Sequence, residues 1–292
     1  MSKHKIANSV RFLSFPIAAF LMMFPHFAAA RQSDSKPTYE VYAISYAVIP
    51  DFPVASLVAG ADKSRKLDIQ MMVWLLKGSN GRNVLVDSGF YRDKFFKQWK
   101  VKDFVKPSEA IAKVGLKPED ITDIIITHMH WDHADGIDLF PKANVWIQRD
   151  EYAYYTGEAW HAKTTHGGID PDDVAALVRL NIEGRVRFVN GDDQEAIEGI
   201  RFFTGGKHTF ASQYVAVNTK GGAVVLASDN LYLYENLDKR APIAQTLDKD
   251  SNLRAQDRMK QIASKPELII PGHDPEVFVR FPKPGNGVAR IR

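Results

Sequence analysis

The residues with the greatest capacity for chemistry lie in one short segment, which runs from His128 to His133 with the pattern H-x-H-x-D-H. A strand that ends in a turn directs His128 and His130 to the same side, because alternate residues share a face, and Asp132 and His133 follow on the turn. Imidazole and carboxylate groups that converge away from water need a cation to satisfy their lone pairs and charge. We therefore expect this segment to bind metal.

Three further residues are candidates for the same site, because each lies just past a strand-like run. They are His208 in Gly205-Gly206-Lys207-His208, Asp229 after the run Ala223–Ala227, and His273 in Pro271-Gly272-His273. Such positions bring side chains to a common sheet edge, and the neighbouring glycines let the backbone approach closely. The predicted metal ligands are therefore His128, His130, Asp132, His133, His208, Asp229 and His273.

Apolar runs of strand length recur along the chain and must position these side chains. The first three predict an early β-meander, and the run that leads into His128 predicts a buried strand. Strand-like runs lie at 39–49, 70–76, 83–86, 121–127, 144–148, 186–189, 200–204, 214–218, 223–227 and 268–270, and helical patterns at 108–114, 174–180 and 253–264. This mixture predicts an α/β fold in which two mixed sheets pack face to face with helices outside.

Composition and charge exclude several classes of protein. A hydrophobic fraction of 45% and a charged fraction of 25% are those of a globular chain and exclude a disordered or fibrous one. The net charge of +3 comes from Lys3, Lys5 and Arg11, and removing these three leaves 35 basic against 35 acidic residues. Without a basic excess, we expect no nucleic-acid partner. The absence of cysteine excludes stabilisation by disulfides.

The N-terminal segment has the three-part order of a secretory signal peptide. Positive residues come first, a mostly apolar run of 13 residues follows from Phe12 to Phe24, and Ala28-Ala29-Ala30 supplies small residues for cleavage. We expect a cleaved signal at 1–30, a flexible mature N-terminus at 31–37 and one domain at 38–292, located in the periplasm or outside the cell. An uncleaved membrane anchor is the alternative, although the run is short for a bilayer core of about 30 Å.

The order of the ligands resembles that of the metallo-β-lactamase superfamily with a dinuclear metal site. The resemblance extends from the early meander with Val86-Asp87-Ser88-Gly89 to Pro271-Gly272-His273. It implies an αβ/βα sandwich of two related halves with the metals at one edge. It also implies that Asp229 bridges two metals. One metal is then held by His128, His130 and His208, and the other by Asp132, His133 and His273.

Within that superfamily the chain is most similar to the N-acyl homoserine lactone lactonases. The segment Asp229–Asn236 resembles their bridging-Asp segment, in which a tyrosine three positions after the aspartate reaches the substrate and is followed by Glu-Asn. Tyr232 is that tyrosine. Two departures concern loops near the metals, since Ala134-Asp135-Gly136 replaces a usual Gly-Gly pair and Lys207 replaces a usual glycine.

The resemblance implies that a hydroxide bridging two divalent metal ions opens a lactone ring. The metals lower the pKa of the bridging water, polarise the lactone carbonyl and stabilise the leaving alkoxide. Asp229 is expected to relay the proton, Tyr232 to donate a hydrogen bond to the carbonyl oxygen, and Asp132 to act as a ligand of the second metal. The ligands suit zinc first, and also manganese, cobalt or iron. The expected partner is a small lactone or ester, and a homodimer is left open.

Several related activities fit the same ligands. An exported phosphotriester or aryl-ester hydrolase is the main alternative, and the match at Tyr232 and Glu235-Asn236 favours a lactonase over it. A β-lactamase usually lacks a bridging carboxylate such as Asp229, and a glyoxalase-II-like thioesterase acts inside the cell. A non-catalytic metal-binding scaffold would be expected to lose some ligands. The aromatic residues at 152–160 and Phe90-Tyr91 could line an acyl-chain pocket or cover the core.

Overall fold

The apolar runs of the sequence form two β-sheets that pack face to face. The computed structural model describes Met1 and residues 36–161 and 166–292, and the part from Lys36 to Arg292 is one compact unit. The predicted signal peptide and most of the predicted flexible N-terminus lie outside the described residues, so both stay predictions. No helix in the described part of the chain has the length and apolar character needed to cross a membrane.

The first sheet has seven strands and contains the predicted meander. Its strands are β1 (Tyr39–Pro53), β2 (Lys66–Gly78), β3 (Asn83–Val86), β4 (Asp123–Ile125), β5 (Asn144–Gln148), β6 (Val186–Val189) and β12 (Val288–Arg290), in the order β12-β1-β2-β3-β4-β5-β6. Pairing is antiparallel from β12 to β3 and parallel from β3 to β6. Gly81 takes a φ of +82° in the turn between β2 and β3, a conformation that glycine adopts without steric cost.

The second sheet has five strands in the order β11-β10-β9-β8-β7. They are β7 (Gln194–Ile197), β8 (Ile200–Thr204), β9 (Gln213–Thr219), β10 (Gly222–Ser228) and β11 (Ile269–Pro271). Only the pair β10 and β11 is parallel in this described sheet. Both sheets are therefore mixed, as predicted.

The helices are short apart from two. They are α1 (Asp93–Gln98), α2 (Pro107–Ala110), α3 (Trp131–Ala134), α4 (Arg149–Tyr155), α5 (Pro171–Ile182), α6 (Tyr234–Asp238), α7 (Lys249–Ile262) and α8 (Val277–Arg280). The two longest begin at capped ends, since Asp170 accepts a hydrogen bond from the Asp172 amide and Asp248 from the Ser251 amide. Such caps satisfy amides that have no partner within the helix.

The core is arranged in layers that follow the alternation of side chains along the strands. Trp74 of β2 and Phe202 of β8 belong to the apolar layer between the sheets. Leu75, the next residue of β2, faces the opposite side and packs in the layer that includes Leu177 of α5. Met259 of α7 packs on the outer face of the second sheet. The predicted α/β sandwich with helices outside is therefore confirmed.

Several predicted boundaries were wrong. The strand expected at 121–127 is limited to β4, because the chain turns toward the site just after it. Helix α4 was not predicted, and α5 begins at Pro171, earlier than the predicted start at 174. The edge strands β7 and β12 were not predicted, because each is a short strand without a long apolar run.

Candidate metal centre

The seven predicted ligands meet at one edge of the sandwich, where they form two adjoining groups. The first group consists of His128, His130, His208 and Asp229, and the second of Asp132, His133 and His273; the ligand atoms of each group lie within 4.8 Å of one another. His128, His208, Asp229 and His273 each come shortly after the end of a strand, as expected, whereas Asp132 and His133 lie in the short helix α3 and not on a turn. The assignment of roles to these residues stays a prediction, whereas their convergence is a property of the structure.

In the first group, one nitrogen atom from each of three imidazoles lies close to the others. His130 Nδ1 lies 3.1 Å from His128 Nε2 and 2.9 Å from His208 Nε2. Asp229 Oδ2 lies 3.3 Å from His208 Nε2 and 3.7 Å from His128 Nε2. Three imidazole lone pairs so close together are stabilised by a shared cation.

The second group faces the other oxygen of the same aspartate. Asp229 Oδ1 lies 3.0 Å from His273 Nε2 and 3.4 Å from His133 Nε2. Asp132 Oδ2 lies 3.6 Å and 3.5 Å from these two nitrogens. Asp229 therefore presents one oxygen to each group, which is the arrangement of a bridging carboxylate.

Backbone carbonyls set which nitrogen of two histidines faces the centre. His208 Nδ1 lies 2.7 Å from the Gln245 carbonyl, and His273 Nδ1 lies 3.0 Å from the Gln70 carbonyl. Because a carbonyl only accepts, each Nδ1 carries the proton and each Nε2 keeps its lone pair for a metal. Partners of this kind orient metal ligands in proteins.

The donor set fits divalent metal ions. Two buried atoms at its centre, His133 Nε2 and Asp229 Oδ1, make no hydrogen bond within the described chain. Buried polar atoms are normally paired, and unpaired ones indicate a missing ion or water. Five imidazoles and two carboxylates with no sulfur form a ligand set that zinc accepts, as do other first-row divalent metals.

The electrostatic environment keeps the first group ready to bind metal. Burial, together with neighbouring imidazoles, lowers the pKa of His128 well below its ordinary value, and burial lowers the pKa of His130 to about 3. Burial alone would raise the pKa of Asp229, but His273 and His133 outweigh it and hold that pKa well below its ordinary value. His128 and His130 are thus neutral and Asp229 is ionised at neutral pH, which are the protonation states that metal binding requires of them.

Asp87 supports the ligand His133, although it was not among the predicted site residues. Its carboxylate lies 2.8 Å from His133 Nδ1 and accepts hydrogen bonds from the amide and hydroxyl of Thr127 and from Ser228 Oγ. Asp87 also takes a φ of +61°, an unfavourable conformation for a residue other than glycine. This buried carboxylate joins the ends of β3, β4 and β10 beneath the ligands.

Glu151 was not among the predicted site residues, because it stands in a polar and aromatic segment without a metal-ligand pattern. Its carboxylate is fully buried and accepts hydrogen bonds from the Met129 amide, the Thr209 hydroxyl and the Ala211 amide. Burial raises the pKa of Glu151, and these hydrogen bonds oppose the rise. Glu151 therefore connects the loop that carries His128 and His130 to the loop that carries His208.

The two departures from the family pattern have structural explanations. Lys207 takes a φ of +57°, the left-handed region in which glycine is usual. Asp135 is buried and pairs with Arg92, while it also accepts a hydrogen bond from the Tyr91 amide. A Cβ on Gly136 would lie 2.2 Å from the Ser88 carbonyl oxygen, so this position does require glycine.

A cavity of about 260 Å³ opens onto the metal centre. His130, Asp132, Asp229 and His273 reach it, and Tyr232 lies beside them. The remaining wall is mostly apolar and is formed by Ile49, Phe52, Leu57, Ile69, Met71, Trp99 and Trp131. A few polar groups in an apolar concavity are typical of small-molecule sites.

The aromatic residues that could have lined this cavity instead cover the core. Phe90 is fully buried, with its ring 4.7 Å from that of Trp131. Tyr152 packs on Phe188, and its hydroxyl accepts a hydrogen bond from Asn181 Nδ2. None of the residues at 152–160 and 90–91 reaches the described wall of the cavity. Trp99 and Phe52 supply the aromatic wall in their place.

Comparison with known proteins agrees with the fold and the ligand pattern. The family model described as the metallo-beta-lactamase superfamily matches residues 69–273, and the chain therefore belongs to that superfamily. An N-acyl homoserine lactonase from Bacillus sp is 28% identical over 225 residues, which cover 72% of this chain and 83% of the relative. An N-acyl homoserine lactonase from Bacillus cereus is 30% identical over 57% of this chain and 61% of the relative.

A solved structure supports the same fold. The crystal structure of a quorum-quenching N-acyl homoserine lactone lactonase superposes with a TM-score of 0.67 at 24% identity, and the match covers 83% of this chain and 95% of that one. The family-model match makes the chain a metal-dependent hydrolase of that superfamily, and its donor set fits divalent metals.

Gly168 offers a test of how closely the ligands are packed. A Cβ at this position would lie 2.9 Å from His130 Cδ2, and the Gly168 carbonyl accepts a hydrogen bond from the Trp131 amide. We expect Gly168→Ala to displace the His130 ring and to reduce metal-dependent turnover roughly tenfold or more. Gly285→Ala is the matched control, because a Cβ there meets nothing within 4 Å. Equal turnover and metal content in both variants would contradict this packing.

Proposed function

We propose that this protein is a dinuclear metal-dependent lactonase that opens the ring of N-acyl homoserine lactones. The observation that carries the proposal is the position of Asp229, with one oxygen toward each ligand group at the floor of an apolar cavity beside Tyr232. The lactonase names of the sequence relatives support the substrate class. We propose zinc as the native metal, because five histidines and two aspartates suit it well.

Bound metals would be held by the two groups of ligands described above. They would supply Lewis acidity toward the lactone carbonyl and lower the pKa of a bound water molecule. The chain contributes a preorganised arrangement, since Asp87, Glu151 and the carbonyls of Gln70 and Gln245 fix the ligands before substrate arrives. Preorganised groups need little rearrangement when charge develops in the transition state.

Asp229 is suited to accept a proton during the reaction. It is ionised at neutral pH, because His273 and His133 hold its pKa well below the ordinary value. Its Oδ1 is buried without a hydrogen bond in the described chain and lies 3.0 Å from His273 Nε2, and the residue lines the cavity. We assign it the relay of the proton from the attacking water to the leaving alkoxide of the opened ring, and its low pKa means that it would hold this proton only transiently.

Tyr232 is suited to stabilise charge on the substrate carbonyl. Its side chain is 4% exposed and lines the cavity, with its ring 5.5 Å from that of His208 and 5.8 Å from that of His273. Burial raises the pKa of its hydroxyl well above the ordinary value, and Asp229 and Asp132 add to the rise. The hydroxyl therefore keeps its proton at neutral pH and can donate it in a hydrogen bond.

Removal of this hydroxyl should slow the chemical step without loss of metal. We expect Tyr232→Phe to lower kcat roughly hundredfold, which is typical when one donor to a developing oxyanion is removed. Tyr214→Phe is the matched control, since the Tyr214 hydroxyl is buried in β9 without a hydrogen bond. Steady-state kinetics and elemental analysis would measure both effects. A Tyr232→Phe enzyme as fast as the control would remove Tyr232 from the mechanism.

The proposed function is tested by turnover of a substrate panel. The panel contains N-acyl homoserine lactones of several chain lengths, a δ-lactone, a phosphotriester, an aryl ester and a β-lactam. We expect the N-acyl homoserine lactones to be preferred, turnover to stop after chelation and zinc to restore it. A phosphotriester preferred by orders of magnitude would favour the exported phosphotriester hydrolase instead.

We further propose that the protein is exported after cleavage of its first 30 residues. The support is the order of a basic start, an apolar run and the small residues Ala28-Ala29-Ala30. N-terminal sequencing of the protein from the periplasm or medium should find a chain that begins near Arg31. A full-length chain retained in the cell membrane would favour the uncleaved anchor.

A further inference from the structure

The proposed substrate consists of a lactone ring, an acyl chain and the amide that joins them. Residues described above could bind the ring and the acyl chain. The ester of the ring belongs at the metal ligands and Tyr232, and the acyl chain belongs against the apolar wall. The third part is the amide that joins them, whose N–H would exchange contact with bulk water for contact with the cavity wall. A buried donor without an acceptor weakens binding, so the cavity needs an acceptor near the metals.

Gln245 and Gln98 are the uncharged polar side chains, apart from Tyr232, among the described residues that line the cavity. Gln98 lies at the end of α1 and has no side-chain hydrogen bond to the described chain. Like Gln98, Gln245 is exposed, but hydrogen bonds hold both its backbone and its side chain. Its carbonyl accepts a hydrogen bond from His208 Nδ1 at 2.7 Å, and its Nε2 donates to the Ser56 carbonyl at 3.2 Å.

The bond to Ser56 fixes the orientation of the Gln245 amide. A backbone carbonyl accepts and does not donate, so the NH₂ group of the side chain must face Ser56 and Oε1 must point elsewhere. Oε1 has no donor among the described residues. The neighbouring backbone is also held, since the Ala244 amide donates to the Leu57 carbonyl at 3.0 Å and Thr246 Oγ1 donates to the Gly206 carbonyl at 2.7 Å.

We propose that Gln245 determines specificity, because its Oε1 accepts a hydrogen bond from the amide N–H of an N-acyl lactone bound at the metal centre. This inference rests on the proposed function. It predicts that the enzyme distinguishes N-acyl lactones from lactones in which a plain alkyl chain replaces the acylamino group. The Gln245 carbonyl positions His208, whereas the side chain recognises the substrate, so the two roles can be separated by a side-chain substitution.

The test compares two substrates in the metal-loaded, full-length enzyme and its variants. One substrate is an N-acyl homoserine lactone, and the other is an α-alkyl-γ-butyrolactone of matched chain length that lacks the amide. Gln245→Met removes the acceptor and keeps the length of the side chain. Gln261→Met is the matched control, because Gln261 is exposed on α7 and does not line the cavity.

We expect Gln245→Met to lower kcat/KM for the N-acyl lactone roughly tenfold, mainly through KM, because a contact made in both ground and transition states affects binding. Turnover of the alkyl lactone should fall much less, so that the ratio of kcat/KM for the two substrates falls roughly tenfold, and metal content should not change. Equal losses for both substrates would overturn the inference, because they would indicate a structural effect through Ser56 or His208. No loss for either, or a selective loss in Gln98→Met instead, would also overturn it.

Failure of the proposed function has a separate signature. If the wild-type enzyme hydrolyses the alkyl lactone or another ester but no N-acyl homoserine lactone, the substrate assignment is wrong and this inference falls with it. The wild-type enzyme alone gives that result. The role of Gln245 is instead determined from the ratio of kcat/KM for the two substrates in the Gln245→Met variant.

Discussion

The structure depends on one buried carboxylate that faces two groups of ligands at once. Asp229 directs Oδ2 toward His208 and Oδ1 toward His273, and it follows Ser228 at the end of β10. An isolated buried carboxylate is strongly unfavourable, and here His273 and His133 stabilise its ionised form, which a bound cation would stabilise further. Gly272 packs against it so closely that a Cβ would lie 2.7 Å from Oδ1. The position of this side chain therefore fixes how the ends of β10 and β11 approach each other.

Other buried polar residues hold the ligands around this carboxylate. Asp87 joins three strand ends below His133, and Glu151 connects the loops of His128 and His208. These contacts join backbone segments that are distant in sequence. The positions of His133, His128 and His208 therefore depend on tertiary contacts and not only on their own loops. Removal of a supporting carboxylate would leave its donors buried and unpaired, which costs more than the net value of the hydrogen bonds themselves. The same arrangement extends to the substrate cavity through Gln245, which contacts His208 and the loop at Ser56.

The sequence allowed the ligands to be predicted better than their surroundings. His128, His130 and His133 are close in the chain, and His208, Asp229 and His273 each follow a run of apolar residues, so strand geometry predicts a common sheet edge for them. Their division between two metals was implied by the resemblance to the superfamily. Glu151 gave no such signal, because a single glutamate among tyrosines looks like a residue of a solvated loop. The cavity wall was also not predictable, since Phe52 and Trp99 meet only through tertiary packing. The aromatic residues at 152–160 were plausible wall residues by composition, yet the structure places them on the core.

The central claim is that Asp229 joins two metal sites, and the metal content of Asp229→Asn tests it most directly. Asparagine keeps the size of the side chain but replaces one oxygen by an NH₂ group that cannot bind metal. Elemental analysis of the purified protein should find two metals per chain in the wild type and one or fewer in the variant, together with loss of turnover. A variant that keeps two metals and full turnover would contradict the account.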